Sequence, residues 1–403
     1  MTTIKQLMNR ERIRQNESID LIPSENIASP GVRAAMSSAF INKYAEGYPR
    51  KRYYPGNDVA DDLEERVQEL ALKTFKAPSS LWRVNVQPYS GSPANAAVYT
   101  GLLEFGDTIL GLSLTHGGHL THGHRVSFSG RAYRAVHYGV GIDGRIDYDQ
   151  VLKLAKAHKP KIIISGATAY PRIINFRRMG QIAKHVDALH LADISHISGL
   201  IAAGEHPTPF PYADIVMTTM QKTLRGPRAG ILFSRPHLSG KIDKAVFPGF
   251  QGGPHLHTIA AIGVALEEAQ KSAFATYQRQ IVTNAHALAE SLAEHGFALL
   301  SGGTDNHLML TDVRIFGLSG KEAEQRLEAA HILANRNTIP EDPSPFNPSG
   351  LRIGTPSVTS RRMKTPEMRK IGKWIAQLLR EGRGANEVKK EVKALCAKFP
   401  ITW

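Results

Sequence analysis

Between about residues 75 and 235 the chain alternates short apolar runs with stretches of helical periodicity, and this alternation most narrows the folds open to it. Seven runs read as strands: Arg83–Val86, Thr108–Leu112, Ala135–Tyr138, Lys161–Ser165, Leu189–Ala192, Ile215–Thr219 and Gly230–Phe233. Most are apolar throughout rather than at every second position, as in a sheet covered on both faces. Such runs separated by helices predict an α/β fold with a mostly parallel, seven-stranded sheet and helices on each side. A helix over Asp58–Phe75 precedes them, acidic at its start, with Val59, Leu63, Val67, Leu70 and Ala71 at helical spacing. The residues before Gly56 are polar and turn-rich.

The Gly/Pro-rich stretch Phe247–Pro254 breaks the pattern, and a long helical segment follows from about His257 to Glu294. Beyond it come a strand at His307–Asp312, a helix over Gly320–Ala330, a strand at Leu351–Ile353, and helices near 365–381 and 385–398. These predict a smaller C-terminal α+β domain. The expected organisation is an N-terminal arm (1–45), a large domain (46–270) and a small domain (271–403).

With 42% hydrophobic and 21% charged residues in 403, the chain can bury a core, which excludes intrinsic disorder. No apolar run approaches the ~18 residues needed to cross a bilayer. The polar first residues lack a secretory signal, so a cytoplasmic location is expected. Cys396 is the one cysteine, excluding an intrachain disulfide and a Cys-based zinc site; a half-buried thiol on the last helix is expected. A net charge of +14 favours anionic ligands in general. Residues 361–398 hold twelve Lys or Arg against four Glu, spread at helical spacing as in Arg369, Lys370, Lys373 and Arg380. They predict a solvated face, with neither membrane nor specific nucleic acid as partner.

Two motifs mislead. Gly139-Val-Gly-Ile-Asp-Gly144 has the G-x-G-x-x-G spacing, but Arg145-Ile-Asp-Tyr-Asp149 reads as a second turn and a helix cap. The glycines therefore do not open a helix that could hold a pyrophosphate. The tract His116–His124 is dense in imidazole, yet has no Asp, Glu or Cys beside it; a loop in which an imidazole stacks on an aromatic ligand is expected, with no metal.

Three features converge. Leu189–Asp193 is an apolar run ending in a carboxylate. Asp214–Lys222 ends in a lysine within a Thr/Gly-rich turn. Ser90-Gly-Ser-Pro-Ala-Asn95 opens an apolar helix after a strand. Ligands of α/β sheets collect at the carboxyl ends of strands. An acid, a lysine and a helix N-terminus arriving there together suit pyridoxal 5'-phosphate: N–H groups for the phosphate, a lysine for a Schiff base, and an aspartate to keep the ring nitrogen protonated.

The chain resembles the serine hydroxymethyltransferases, pyridoxal-phosphate enzymes of fold type I, from about Ile19 to the C-terminal helices. The resemblance rests on Leu21–Asn26, Asn42–Pro49 with Lys51–Tyr54, Ser90–Ser92, His116–Gly123, Ala192–His196, Lys222–Arg228, Gln251–Pro254, Ser301–His307 and Arg352–Pro356. It implies that Lys222 holds the cofactor, Asp193 pairs with the ring nitrogen, and His119 stacks on the ring. Thr168 and His196 would sit near the phenolic oxygen. Ser90, Gly91 and Ser92 would hold the phosphate, helped by Gly252 and Gly253 of a partner chain. Arg352 would grip the amino-acid carboxylate, assisted by Ser24. Glu46 would be the acid/base group, with Tyr44 and Tyr54 beside it, all three from the neighbouring subunit of a homodimer that could pair further into a tetramer. Leu114, Leu120, Asn337, Ser344, Pro345 and Phe346 match folate-binding positions. The implied reaction moves the hydroxymethyl carbon of L-serine to tetrahydrofolate, giving glycine and 5,10-methylenetetrahydrofolate.

Two departures stand out. Gln221 occupies the place where the family usually has His, so the residue before the lysine cannot titrate. In Tyr54-Pro-Gly-Asn57 a proline replaces a common glycine, which stiffens the turn. The alternatives are a folate-independent aldolase or transaldolase acting on β-hydroxy amino acids, a non-catalytic RNA-binding protein on the same scaffold, and a metallohydrolase built on the histidine tract. The set Lys222, Asp193, Glu46 and Arg352 argues against the RNA-binding reading, and the lack of Asp, Glu or Cys in the tract argues against the metallohydrolase.

Overall fold

The seven apolar runs form one sheet in the computed structural model, which describes residues 2–340, 342, 347–382 and 384–403. They are β1 (Arg83–Asn85), β2 (Thr108–Leu112), β3 (Arg134–Tyr138), β4 (Ile162–Ser165), β5 (Leu189–Asp193), β6 (Ile215–Thr219) and β7 (Gly230–Ser234). Their order across the sheet is β1-β7-β6-β5-β4-β2-β3. The pairs β2–β3, β2–β4, β4–β5 and β5–β6 are parallel. β7 runs antiparallel to β6 and β1. Every residue of β4, β6 and β7 is buried, the physical counterpart of their unbroken apolar runs. One face packs on the helix Gly91–Leu102, where Ala94 and Val98 meet Leu191, Met217 and Leu232.

The chain forms two compact units. One comprises Ala28–Thr168 and Ile173–Gln278 and contains this sheet. The other comprises the residues up to Ile27, Ala169–Arg172 and Arg279–Trp403. Within the second lies an antiparallel sheet of β8 (Ala298–Leu299), β9 (Leu308–Asp312), β10 (Asn335–Asn337) and β11 (Gly350–Gly354), in the order β8-β9-β11-β10. Met309 and Ile353 share its core with Leu288, Ile371, Trp374 and Val392 from the surrounding helices. Among the described residues no helix is long and apolar enough to cross a membrane.

Several details depart from the sequence reading. A 13-residue helix, Ile4–Asn16, occupies the polar N-terminus. Thr3 and Gln6 start it with a reciprocal capping box, and it buries no residue, so no apolar stripe announces it. The long segment after His257 is two helices, Leu256–Ala269 and Ser272–Glu294. The break at Gln270–Lys271 contains neither Gly nor Pro, and the apolar spacing continues across it. In the helix Asp58–Thr74, Val59 is exposed, whereas Asp61 and Glu64 are buried. Cys396 is fully buried rather than half-buried, and burial pushes its thiol pKa up.

The second unit is fastened at its ends by Arg361. Its guanidinium donates to the carbonyls of Ser18 (2.7 Å), Asn16 (2.9 Å), Cys396 (3.0 Å) and Phe399 (2.8 Å). These carbonyls lie at the C-terminal ends of the first and last helices, where backbone acceptors lack intrahelical partners.

Nearby, Ile19 and Asp20 pair with Ile332 and Leu333. Burial, reinforced by the Glu25 carboxylate, pushes the Asp20 carboxyl up to about 7. The folded protein thus binds this proton more tightly than the unfolded chain does. Its stabilising contribution is complete below the unfolded pKa near 4 and is lost as pH rises through about 7. Between pH 5 and 8 the wild type should lose roughly 3 °C of melting temperature that Asp20→Asn does not lose. Parallel melting curves for the two proteins would refute this.

Candidate active site

Five loops of the first unit meet chemistry at the carboxyl ends of their strands. β5 ends at Asp193, whose carboxylate is buried and multiply held. Its Oδ2 accepts from His122 Nε2 at 3.0 Å and from Asn95 Nδ2 at 3.2 Å, and its Oδ1 accepts from the Ser195 amide at 3.1 Å. Burial by itself would raise this pKa. The His122 hydrogen bond and charge, with His119 and Ser195 in support, outweigh it and hold the carboxyl well below the usual range. His122 is positioned in turn by the buried Tyr99 hydroxyl, 2.7 Å from Nδ1. A Tyr99–His122–Asp193 chain therefore keeps an anion at the end of β5.

β6 ends at Thr219, and the turn after it carries Lys222, buried at 8% exposure. The turn is closed by Met220 N to Ala229 O (3.1 Å) and Gly226 N to Met220 O (2.8 Å). Thr223 ties it to the loop after β5, donating to His196 O (3.1 Å) and accepting from Gly199 N (2.9 Å). The loops bearing Asp193 and Lys222 are thus bolted together. Beside the lysine, Gln221 Oε1 is buried without a hydrogen bond among the described residues.

β1 leads to Ser90, the extended residue before the helix Gly91–Leu102; its hydroxyl does not cap that helix. A Cβ at Gly91 would lie 2.7 Å from Thr219 Cγ2, so only glycine lets this helix end sit against β6. Thr219 Oγ1 is buried there with no hydrogen-bond partner among the described residues. Free helix N–H groups beside an unused hydroxyl suit a phosphate. Ser92 follows on the first turn. Thr168, after β4, is held by its amide to Gly117 O at 2.8 Å.

The loop after β2 carries the histidine tract. His119 Nδ1 lies 2.6 Å from Thr121 Oγ1, and the His119 and His122 rings meet edge-on with centroids 5.9 Å apart. His116 instead accepts from the Val140 amide. The imidazoles serve different partners, and no three His, Cys, Asp or Glu among the described residues converge as a metal site. Gly139–Gly144 is a turn: Gly141 N bonds Arg145 O, and Asp147 then caps the helix Tyr148–His158.

A second cluster in the same unit surrounds Glu46. Tyr44 donates to Glu46 Oε1 at 3.2 Å, and the Tyr44 and Tyr54 rings meet edge-on at 4.9 Å. The bond to Glu46 raises the Tyr44 pKa. Gly252 and Gly253 lie against Glu46 and Tyr44, and Tyr89, next to Ser90, donates to Gly253 O at 2.7 Å. The hairpin carrying Glu46 (Gly47–Tyr48 with Lys51–Arg52) is anchored by Arg52. The Arg52 side chain is only 3% exposed; it bonds Asp61 (2.8 Å) and Glu64 (2.6 Å), and the carbonyls of Ala45 (2.9 Å) and Gly47 (2.7 Å). Those two carboxylates are what the helix Asp58–Thr74 buries in place of Val59.

In the second unit Arg352 lies on β11, buried, with Nε donating to Asn335 Oδ1 at 3.2 Å. Burial draws its guanidinium down to about 10, so it stays charged near neutrality and gains from an anionic ligand. The segment bearing Ser24 runs past the end of the same strand, with Gly354 N bonding Leu21 O at 2.7 Å. Asn337 is also in this unit, whereas Leu114 and Leu120 lie on the loop after β2 of the first. Ser344, Pro345 and Phe346 lie outside the described residues. The sequence reading missed Tyr99, Asn95, His122 and Arg52 as supporting groups; Asn95, His122 and Arg52 fall inside the runs Ser90–Asn95, His116–His124 and Lys51–Tyr54, whereas Tyr99 lies in none of them.

The serine hydroxymethyltransferase family model matches residues 2–375. A serine hydroxymethyltransferase of Desulforapulum autotrophicum is 50% identical over 398 residues, covering 98% of this chain and 95% of that protein. Another, from Koribacter versatilis, is 50% identical over 400 residues, covering 98% and 93%.

Proposed function

This chain belongs to the serine hydroxymethyltransferase family, catalysing the reversible conversion of L-serine and tetrahydrofolate to glycine and 5,10-methylenetetrahydrofolate, and we propose that it does so with pyridoxal 5'-phosphate held by Lys222, Asp193 and the Ser90–Ser92 helix end. The carrying observation is the buried Asp193 carboxylate, kept ionised by His122 and Tyr99 on the loop bolted to that of Lys222. The unused Thr219 hydroxyl beside Gly91 fits the phosphate as well.

When bound, the cofactor supplies an electron sink for the pair released as the Cα–Cβ bond of serine breaks. Lys222 Nζ is the amine that would hold it covalently. Asp193 would keep the proton on its ring nitrogen, and His119 would pack on the ring. Thr168 and His196 would lie by its phenolic oxygen. Arg352, with Ser24, binds the serine carboxylate through its two-pronged guanidinium. Glu46, oriented by Tyr44 and Tyr54, takes and returns the proton of the hydroxymethyl group. Leu114, Leu120, Asn337 and Ser344–Phe346 receive the folate. The enzyme works in the cytoplasm, where a single buried thiol such as Cys396 suits reducing conditions.

The test is serine-to-glycine conversion with and without tetrahydrofolate. Strong dependence on the folate supports this reading; equal rates on a β-hydroxy amino acid without folate would establish the aldolase alternative instead. Gln221→His should retain the cofactor and turn serine over equally fast or faster. A large loss would mean that the surroundings have adapted to the amide.

The active form is a homodimer in which Glu46, Tyr44, Tyr54, Gly252 and Gly253 serve the partner's Lys222 site. Lys222→Ala and Glu46→Gln, each nearly inactive, should then complement. Random reassortment makes about half the dimers mixed, each with one intact site of two, so activity recovers to roughly a quarter of wild type. Mixed dimers without recovered activity would refute the sharing.

A further inference from the structure

At the opposite end of the sheet, by the amino ends of β1 and β6 and the carboxyl end of β7, lies a cavity of about 570 Å³. The five residues of β6 put about 16 Å between this edge and the turn of Lys222. The volume falls in the range of small-molecule sites. Phe75, Trp82 and Phe210 form an aromatic wall: the Trp82 and Phe210 rings meet edge-on at 5.0 Å, and those of Phe75 and Phe210 lie 5.7 Å apart. The lining contains no acid and two permanent cations, Lys76 and Arg235.

Arg235 lies over the Trp82 ring at 4.3 Å. It donates Nε to Ala213 O and Nη2 to Phe210 O, both at 3.2 Å, so its fork is fixed in place. Neither Arg235 nor Lys76 has a carboxylate partner among the described residues. An aromatic slot edged by a preset guanidinium and a second cation is complementary to a flat ring bearing an anion. We propose that this cavity binds a small aromatic carboxylate, its ring against Phe75, Trp82 and Phe210 and its carboxylate on Arg235 and Lys76.

Calorimetric titration of the cofactor-loaded protein with 4-phenylbutyrate tests this. Saturable binding with a Kd of roughly 1 mM is expected, unchanged by saturating glycine because the two sites are separate. The uncharged 4-phenylbutan-1-ol should bind about tenfold more weakly or worse, and Arg235→Met should weaken the acid by a similar factor. Ala202→Trp, which fills the cavity from its half-buried wall, should abolish binding. Serine turnover and unfolding midpoint check that each variant is folded, and the acid–alcohol comparison needs no variant. Absence of saturation, equal binding of acid and alcohol, binding retained in folded Ala202→Trp, or displacement by glycine would each overturn the proposal.

Discussion

Asp193→Asn should give a folded protein that still takes up pyridoxal phosphate but turns serine over roughly a thousandfold more slowly. Asparagine matches aspartate in shape and can keep the bond from the Ser195 amide. It brings no negative charge, however, so nothing holds a proton on the cofactor's ring nitrogen. Its amide group also meets two donors, His122 Nε2 and Asn95 Nδ2, where the carboxylate met them as an acceptor. Relief requires His122 to take the other tautomer and donate from Nδ1 toward the Tyr99 oxygen, 2.7 Å away. His122→Phe, which leaves the carboxylate with its Asn95 and Ser195 bonds, should fall between wild type and Asp193→Asn. Steady-state turnover with a visible spectrum of the bound cofactor distinguishes lost chemistry from lost cofactor. Turnover of Asp193→Asn within tenfold of wild type would remove the ring-nitrogen role from this residue.

Arg52→Met should destabilise the protein by about 3–5 kcal/mol, the cost of leaving buried carboxylates without their cation. Asp61 is held low by Arg52 and Arg50 against its own burial, whereas Glu64 is raised by burial despite Arg52. Without the guanidinium both would need protons or water, neither easily supplied at 7% and 0% side-chain exposure. Gln87 would still donate to Glu64 Oε1, a partial compensation. The urea midpoint measures the loss. The double variant Arg52→Met/Glu64→Gln should recover part of it, since one orphaned charge is gone. Because the same guanidinium holds the Ala45 and Gly47 carbonyls on either side of Glu46, serine turnover should fall as well. A midpoint unchanged from wild type would show that water replaces the cation at little cost.

What the sequence disclosed and what it withheld follow one division. Strands buried on both faces carry consecutive rather than alternating apolar residues, as in Ile162–Ile164 of β4 and Ile215–Met217 of β6, so both were legible from their runs. Asp193 and Lys222 were legible because each ends such a run, where an α/β sheet delivers ligand-binding groups. Tyr99, Asn95 and His122 come from a helix and a loop that only the folded sheet brings to Asp193, and nothing in their spacing announces the meeting. Asp61 and Glu64 were hidden for the opposite reason: their charges mark them for solvent until Arg52 of the preceding hairpin neutralises them. The polar first helix needed no core contact to form, so a search for amphipathic periodicity passed over it. The break at Gln270 was invisible because its residues are ordinary helix formers.

The N-terminal helix buries none of its residues and leaves Ile4, Leu7 and Met8 facing outward, yet its final turn is gripped by Arg361 together with the end of the chain. It is a boom hinged at one end. Amide exchange along it should be graded, fast toward Ile4 and slow past Asn16, with the protected end set by a cation some 340 residues downstream. Both termini converge on that cation, so trimming the last helix would leave it only the carbonyls of the first, and a tag placed at either end would act on the same guanidinium.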